Sequence, residues 1–175
     1  MANKYIESQI SREIEDYKEE YSFRQHDEEG FCHLVERHIR KKDSFLRYRL
    51  SFKKANAYEP QPMSRFNDDI DKVKVLEMIT KCLIDNKSLL CENFSKANAG
   101  KIDISIIYPE PIGVAIIKGF EDTILKASRL VVVVEPSKER GRLLSVCTAY
   151  PSFDMDEQDI VDDLFYGAEE QPQEK

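Results

Sequence analysis

Hydrophobic positions divide this 175-residue chain into a helical N-terminal part and a strand-rich C-terminal part. Tyr5, Ile6, Ile10, Ile14, Tyr17 and Tyr21 recur every three or four residues, which predicts an amphipathic, acidic helix over 4–24. Its stripe needs a surface: the chain's own core, a partner, or the basic segment that follows. His26–Gly30 reads as a linker. Leu34, Val35, His38 and Ile39 predict a short helix over 33–40. Asp43 or Ser44 can cap a second helix running to about Phe52, with Phe45, Arg49 and Phe52 on one face. Residues 55–66 hold two prolines and read as a loop or a short edge segment. Asn67 is placed to cap a helix from Asp68 to about Asn86, with Ile70, Val73, Leu76, Ile79 and Leu83 facing the core. A shorter helix is placed around Leu89–Asn93.

The rest of the pattern is antiparallel β. Lys101–Tyr108 and Ile112–Lys118 flank a Pro-Glu-Pro turn, and 119–128 reads as a loop. Leu130–Glu135 and Arg142–Tyr150 flank the polar turn Pro136–Gly141 and should form a hairpin. On the last strand Leu144, Val146, Thr148 and Tyr150 share one parity, so Thr148 and Tyr150 should be neighbours on one sheet face. Ser152–Lys175 reads as an acidic tail with an apolar anchor at Ile160, Val161, Leu164 and Phe165.

Charge changes this picture. The chain carries −7 overall, but the charge is blocked. Residues 33–54 hold eight Lys/Arg against Glu36 and Asp43, a local +6, while 1–29 carry −5 and 152–175 carry −8. A local basic field can serve a nucleic acid even in an acidic chain. The acidic tail is then expected to compete with RNA for Arg40, Lys41, Lys42, Lys53 and Lys54. At 41% hydrophobic residues there is enough apolar material for a core, and no run approaches the length of a membrane span. The first twenty residues lack the apolar centre of a secretory signal. Cys32, Cys82, Cys91 and Cys147 show neither CxxC pairing nor zinc-ligand spacing, so free thiols in a reducing compartment are expected.

The basic segment also holds His33 and His38, and histidine exchanges protons near neutral pH. Metal-free RNA cleavage needs a base for the 2′-hydroxyl, an acid for the leaving 5′-oxygen, and donors that hold the phosphate. His38 suits the proton transfers, Arg49 a bidentate phosphate clamp, and Thr148 and Tyr150 hydrogen bonds, with Tyr150 also able to stack on a base. His33 stands five residues before His38, about 140° around a helix. It can reach the same point only by preceding the helix, and is an auxiliary candidate. Each residue also has a plainer use, as a core histidine, an ordinary strand or a solvated basic face. Spacing alone therefore leaves a nuclease and a non-catalytic RNA- or protein-binding module both open. Gly-rich phosphate loops and GxSxG are missing. Asp68, Asp69 and Asp71 are better explained by a helix N-terminus than by a metal.

The stretch from His33 through His38-Ile39, Lys41, Asp43 and Leu46 to Arg49-Leu50 resembles the HxxxxHVxKxDxxLxxRL signature of bacterial ribonuclease A-like toxin domains. These domains end contact-dependent growth-inhibition (CDI) and related polymorphic toxin proteins. Ser64-Arg-Phe-Asn-Asp68, the Ile112-Gly113 strand and Thr148-Ala149-Tyr150-Pro151 follow in the matching order, so the resemblance covers about 30–151. It implies an α+β, ribonuclease A-like fold, with N-terminal helices packed on a C-terminal antiparallel sheet and no disulfides. It implies a metal-independent endoribonuclease without cofactor, often acting on tRNA, and a cognate immunity protein. The location implied is cytoplasmic, for a toxin the target cell's cytoplasm. The matching positions put catalysis on His38, Arg49, Thr148 and Tyr150. The organisation expected is an acidic helical extension (1–29), the ribonuclease domain (30–151) and an acidic tail (152–175). Two positions depart from the family's usual residues: the glycine after the His-Val pair is Arg40, and the helper threonine before the aspartate is Lys42.

Overall fold

The computed structural model describes residues 4–23, 37–53, 62–153 and 159, with side chains of the first helix described to Tyr17. His33, Lys54 and nearly all of the acidic tail lie outside the described residues. The elements in order are α1 (Lys4–Phe23), α2 (Asp43–Ser51), β1 (Pro62–Phe66), α3 (Lys72–Asp85), α4 (Lys87–Phe94), β2 (Ile102–Ile107), β3 (Gly113–Ile117), β4 (Leu125–Ala127), β5 (Arg129–Pro136) and β6 (Leu144–Ser152). The strands form two antiparallel sheets, ordered β1-β3-β4 and β2-β5-β6. This is an α+β fold, and Cys82, Cys91 and Cys147 are free thiols.

The stripe of α1 docks on the chain's own core. Ile10, Ile14 and Tyr17 are buried with α3, α4 and the inner face of β2-β5-β6. Two polar residues inside the stripe explain its aim. The buried Glu13 carboxylate accepts the backbone N–H groups of Leu143 (2.8 Å) and Leu144 (3.0 Å), tying α1 to the start of β6. Gln9 donates to Glu13 (2.7 Å) and to the Gly141 carbonyl (2.9 Å). A buried carboxylate is tolerable only when hydrogen bonds replace its water.

Several boundaries differ from those read off the pattern. The cap of α3 is Asp71, whose carboxylate accepts from Lys74 N at 3.0 Å, so the helix starts later than Asn67 suggested. Its core face becomes Val75, Met78, Ile79, Cys82 and Leu83, and Val73 is left exposed. Residues 62–66 are a true edge strand, and the expected loop at 119–128 contains β4. Neither Asp43 nor Ser44 caps α2. Lys42 holds the cap position, and the Asp43 carboxylate instead accepts from Arg65 Nε at 2.8 Å, fastening α2 to β1. Arg40 sits at φ +53°, the left-handed region that glycine enters most easily. That conformation ends the preceding helical turn at His38 and explains why a glycine suits the position.

A second small core, Leu46, Leu50, Met63 and Ile116, fixes α2 on the β1-β3 face. A third, Ala115, Ile117 and Phe153, fastens the end of β6 over β3. Gly113 makes this crossing possible. A Cβ there would collide with the Arg65 carbonyl oxygen and stand 2.6 Å from Pro151 Cγ. Gly113→Ala is expected to destabilise the protein by at least about 1–3 kcal/mol, the usual cost of overpacking. Gly100→Ala, where a Cβ meets nothing within 4 Å, is the control and should change stability by under about 0.5 kcal/mol. Urea denaturation of both variants checks this.

Candidate active site

The two sheets meet along β6, and a cleft of about 240 Å³ opens at that seam. His38, Arg49, Thr148 and Tyr150 all line it, with Met63, Ser64 and Phe153 among its walls.

His38 is brought in by the turn before α2. Its side chain is buried, and its Nδ1 lies 2.7 Å from the Ser64 carbonyl oxygen. A carbonyl only accepts, so Nδ1 carries the proton and the neutral ring keeps its lone pair on Nε2. The carbonyl is available because, among the described residues, β1 pairs with β3 alone. The Tyr150 ring lies beside the imidazole, with centroids 5.9 Å apart and planes tilted by 30°.

Arg49 leaves α2 at the border of its buried face. Leu46 and Leu50 anchor one side, and the Phe45 ring lies 5.9 Å from the guanidinium carbon. Its Nη1 is buried with no hydrogen-bond partner. Burial lowers the Arg49 pKa from its ordinary value, and the nearby Arg37 charge lowers it further. Lys53 is lowered in the same way, by burial and then by Arg49. Arg49 therefore brings positive charge to a cleft whose described lining residues include no Asp or Glu, which suits an anion.

Thr148 and Tyr150 reach the cleft through an irregularity. Val133 pairs with Thr148 but Val134 pairs with Val146, so Cys147 is the extra residue of a β-bulge. Before the bulge Leu144 and Val146 face the main core; after it Ala149 does. Plain alternation would have put Thr148 and Tyr150 on the core side with Leu144 and Val146. The extra residue turns them outward together, as bulges beside functional sites commonly do. Thr148 Oγ1 is buried without a partner, a second unmet donor in the same cleft. The Cys147 thiol is pushed up to about 11 by burial and by Glu135. A thiol so raised is a poor nucleophile at neutral pH.

Of the basic residues, Arg40 and Lys42 are exposed and Lys41 and Lys53 half-buried. The Lys41 ammonium lies 5.2 Å from the centroid of the Phe45 ring. Arg47 points elsewhere, donating to the Glu121 carbonyl at 2.9 Å. Sequence reasoning missed the contribution of Ser64, because a backbone carbonyl leaves no side-chain signal. It also counted Arg37 only as part of the basic run, although its charge reaches Arg49. Asp68 pairs with Arg65 (3.4 Å) and Asp71 caps α3, so neither joins the cleft.

The family described as the bacterial CdiA-CT RNase A domain matches residues 32–151. The crystal structure of a CdiA-CT/CdiI complex from Y. kristensenii 33638 is similar in fold, with a TM-score of 0.57 and 19% identity, covering 69% of this chain and 98% of that one. No curated protein matches the chain. With more than half its length matched, the chain belongs to the CdiA-CT RNase A family, the endoribonuclease toxin domains of contact-dependent growth inhibition.

Proposed function

We propose that this chain cleaves RNA without a metal, by transphosphorylation that leaves a 2′,3′-cyclic phosphate. The observation that carries the reading is a pair of buried, unpartnered donors, Arg49 Nη1 and Thr148 Oγ1, in the cleft that His38 also lines. Leaving such groups unpaired costs stability, and a phosphate oxygen satisfies both. The described lining residues include no Asp or Glu. Cationic and hydroxyl donors suit direct phosphate binding better than metal coordination.

The steps follow from the tautomer. His38 Nε2 takes the 2′-hydroxyl proton as the 2′-oxygen bonds to phosphorus. Arg49 and Thr148 hold the non-bridging oxygens as negative charge gathers there. The bond to the 5′-oxygen breaks, and the imidazolium returns a proton to that oxygen. Tyr150 keeps the imidazole oriented and offers a ring face to a base. Arg40, Lys41, Lys42, Lys53 and Lys54 attract the flanking strand. His33 remains the auxiliary candidate for a second proton transfer.

Transfer RNA is the substrate this reading favours, with catalysis carried by residues 30–151 between the acidic segments. The structurally similar CdiA-CT domain was crystallised with CdiI. A CdiI-type immunity protein is accordingly the partner proposed here, and the cytoplasm of a target cell the place of action. Incubation with tRNA in EDTA tests the chemistry. Fragments ending in 2′,3′-cyclic phosphate are expected; intact tRNA after long incubation would leave only a binding module on the same fold.

A further inference from the structure

We infer that Tyr48 and Phe52, on the open side of α2, form a stacking platform for a nucleobase flanking the scissile phosphate. This rests on the ribonuclease reading of the cleft and adds a subsite to it. Both rings are exposed, Tyr48 at 62% and Phe52 at 73%, on a helix whose other side is buried. They meet edge to face, with centroids 5.0 Å apart and planes at 87°. Two large rings left in water on one helical turn are unfavourable for a solvated surface, where such residues are normally scattered singly.

Helix geometry sets their place relative to the cleft. Around α2 the order runs from the buried Leu50 and Leu46, through Arg49, to Phe45, Phe52 and Tyr48. Arg49 is thus the border between the anchored face and the aromatic row. Phe52 lies three residues beyond it, about 4.5 Å along the axis. A strand whose phosphate sits on Arg49 therefore brings a neighbouring base over this row.

Charge favours the same occupant. Lys53 follows Phe52 directly, and the Lys41 ammonium sits over the Phe45 ring in the same row. Alternating cations and aromatic faces suit single-stranded RNA: the cations follow the backbone, and the rings take bases of any sequence. A purely apolar protein partner would have to bury these ammonium groups unpaired.

The test separates this subsite from catalysis. A single-stranded 2′-O-methyl RNA octamer cannot be cleaved, so its affinity is read by fluorescence anisotropy whether or not the protein is active. Tyr48→Ala and Phe52→Ala are each expected to weaken binding by about 5- to 100-fold, and Phe52→Trp to restore it. The loss should be the same factor at every salt concentration, because stacking releases no counterions. Octamer affinity equal to wild type in both alanine variants overturns the platform, as does a wild-type protein that fails to bind the octamer. A wild-type protein that binds but cleaves no RNA overturns the catalytic reading alone, since the alanine variants still report on stacking.

Discussion

Replacing His38 with alanine is expected to lower RNA cleavage by about 100-fold or more, the usual worth of a positioned acid–base group. The imidazole is held by a carbonyl that only accepts, which puts the reactive lone pair on Nε2. Alanine removes both the proton carrier and the partner of the Ser64 carbonyl, so it should also cost about 1–3 kcal/mol for the orphaned acceptor. His38→Asn separates the two effects. An amide can still donate to Ser64, yet it cannot carry a proton at neutral pH. Asparagine should therefore be as inactive as alanine while keeping more of the stability. Initial rates on tRNA beside thermal melts give both readouts. His33→Ala should reduce the rate less; an equal loss would mean that two histidines share the proton transfers and that His38 does not work alone.

Arg49→Lys is expected to lower the rate by about 100- to 1,000-fold, as for loss of one preorganised donor to a developing oxyanion. Lysine keeps the positive charge but not the planar fork that binds two phosphate oxygens. Stability should change little or rise, because the substitution removes a buried nitrogen that has no partner. Burial and Arg37 both disfavour the charged guanidinium, so an anion in the cleft relieves that cost. Inorganic phosphate should raise the melting temperature of the wild-type protein and do so less for the lysine variant. A large loss of stability in Arg49→Lys, with phosphate stabilising both proteins alike, would show a packing residue rather than a phosphate clamp.

Much of the architecture was legible because hydrophobic periodicity reports local structure directly. The α1 stripe, the α3 core face from Ile79 to Leu83, and the β5-β6 hairpin around its polar turn all carry their period in the residues themselves. The errors fell where a local signal had competitors. Asn67 and Asp71 were both competent caps, and only the path of the chain after β1 chose Asp71. Asp43 was a competent cap as well, but Arg65 claimed its carboxylate. The short strands β1 and β4 are stabilised by pairing with β3, a contact distant in sequence.

The functional reading divides along the same line. The order of His38, Arg49, Thr148 and Tyr150, their chemistry and the local +6 charge were determined by the sequence alone, because residue type and spacing are local properties. That Thr148 and Tyr150 share a face was also in the strand period. Which face they share was not. An unbroken alternation sends both into the core with Leu144 and Val146, and one extra residue at Cys147 turns them out to the cleft. A bulge is settled by the pairing of β6 with β5, and the single strand carries no mark of it. The tautomer of His38 likewise depends on a carbonyl of β1 at 26 residues' distance. The aim of α1 depends on the N–H groups of Leu143 and Leu144, far along the chain. Backbone groups are the same in every residue, so tertiary structure alone decides which of them a side chain meets.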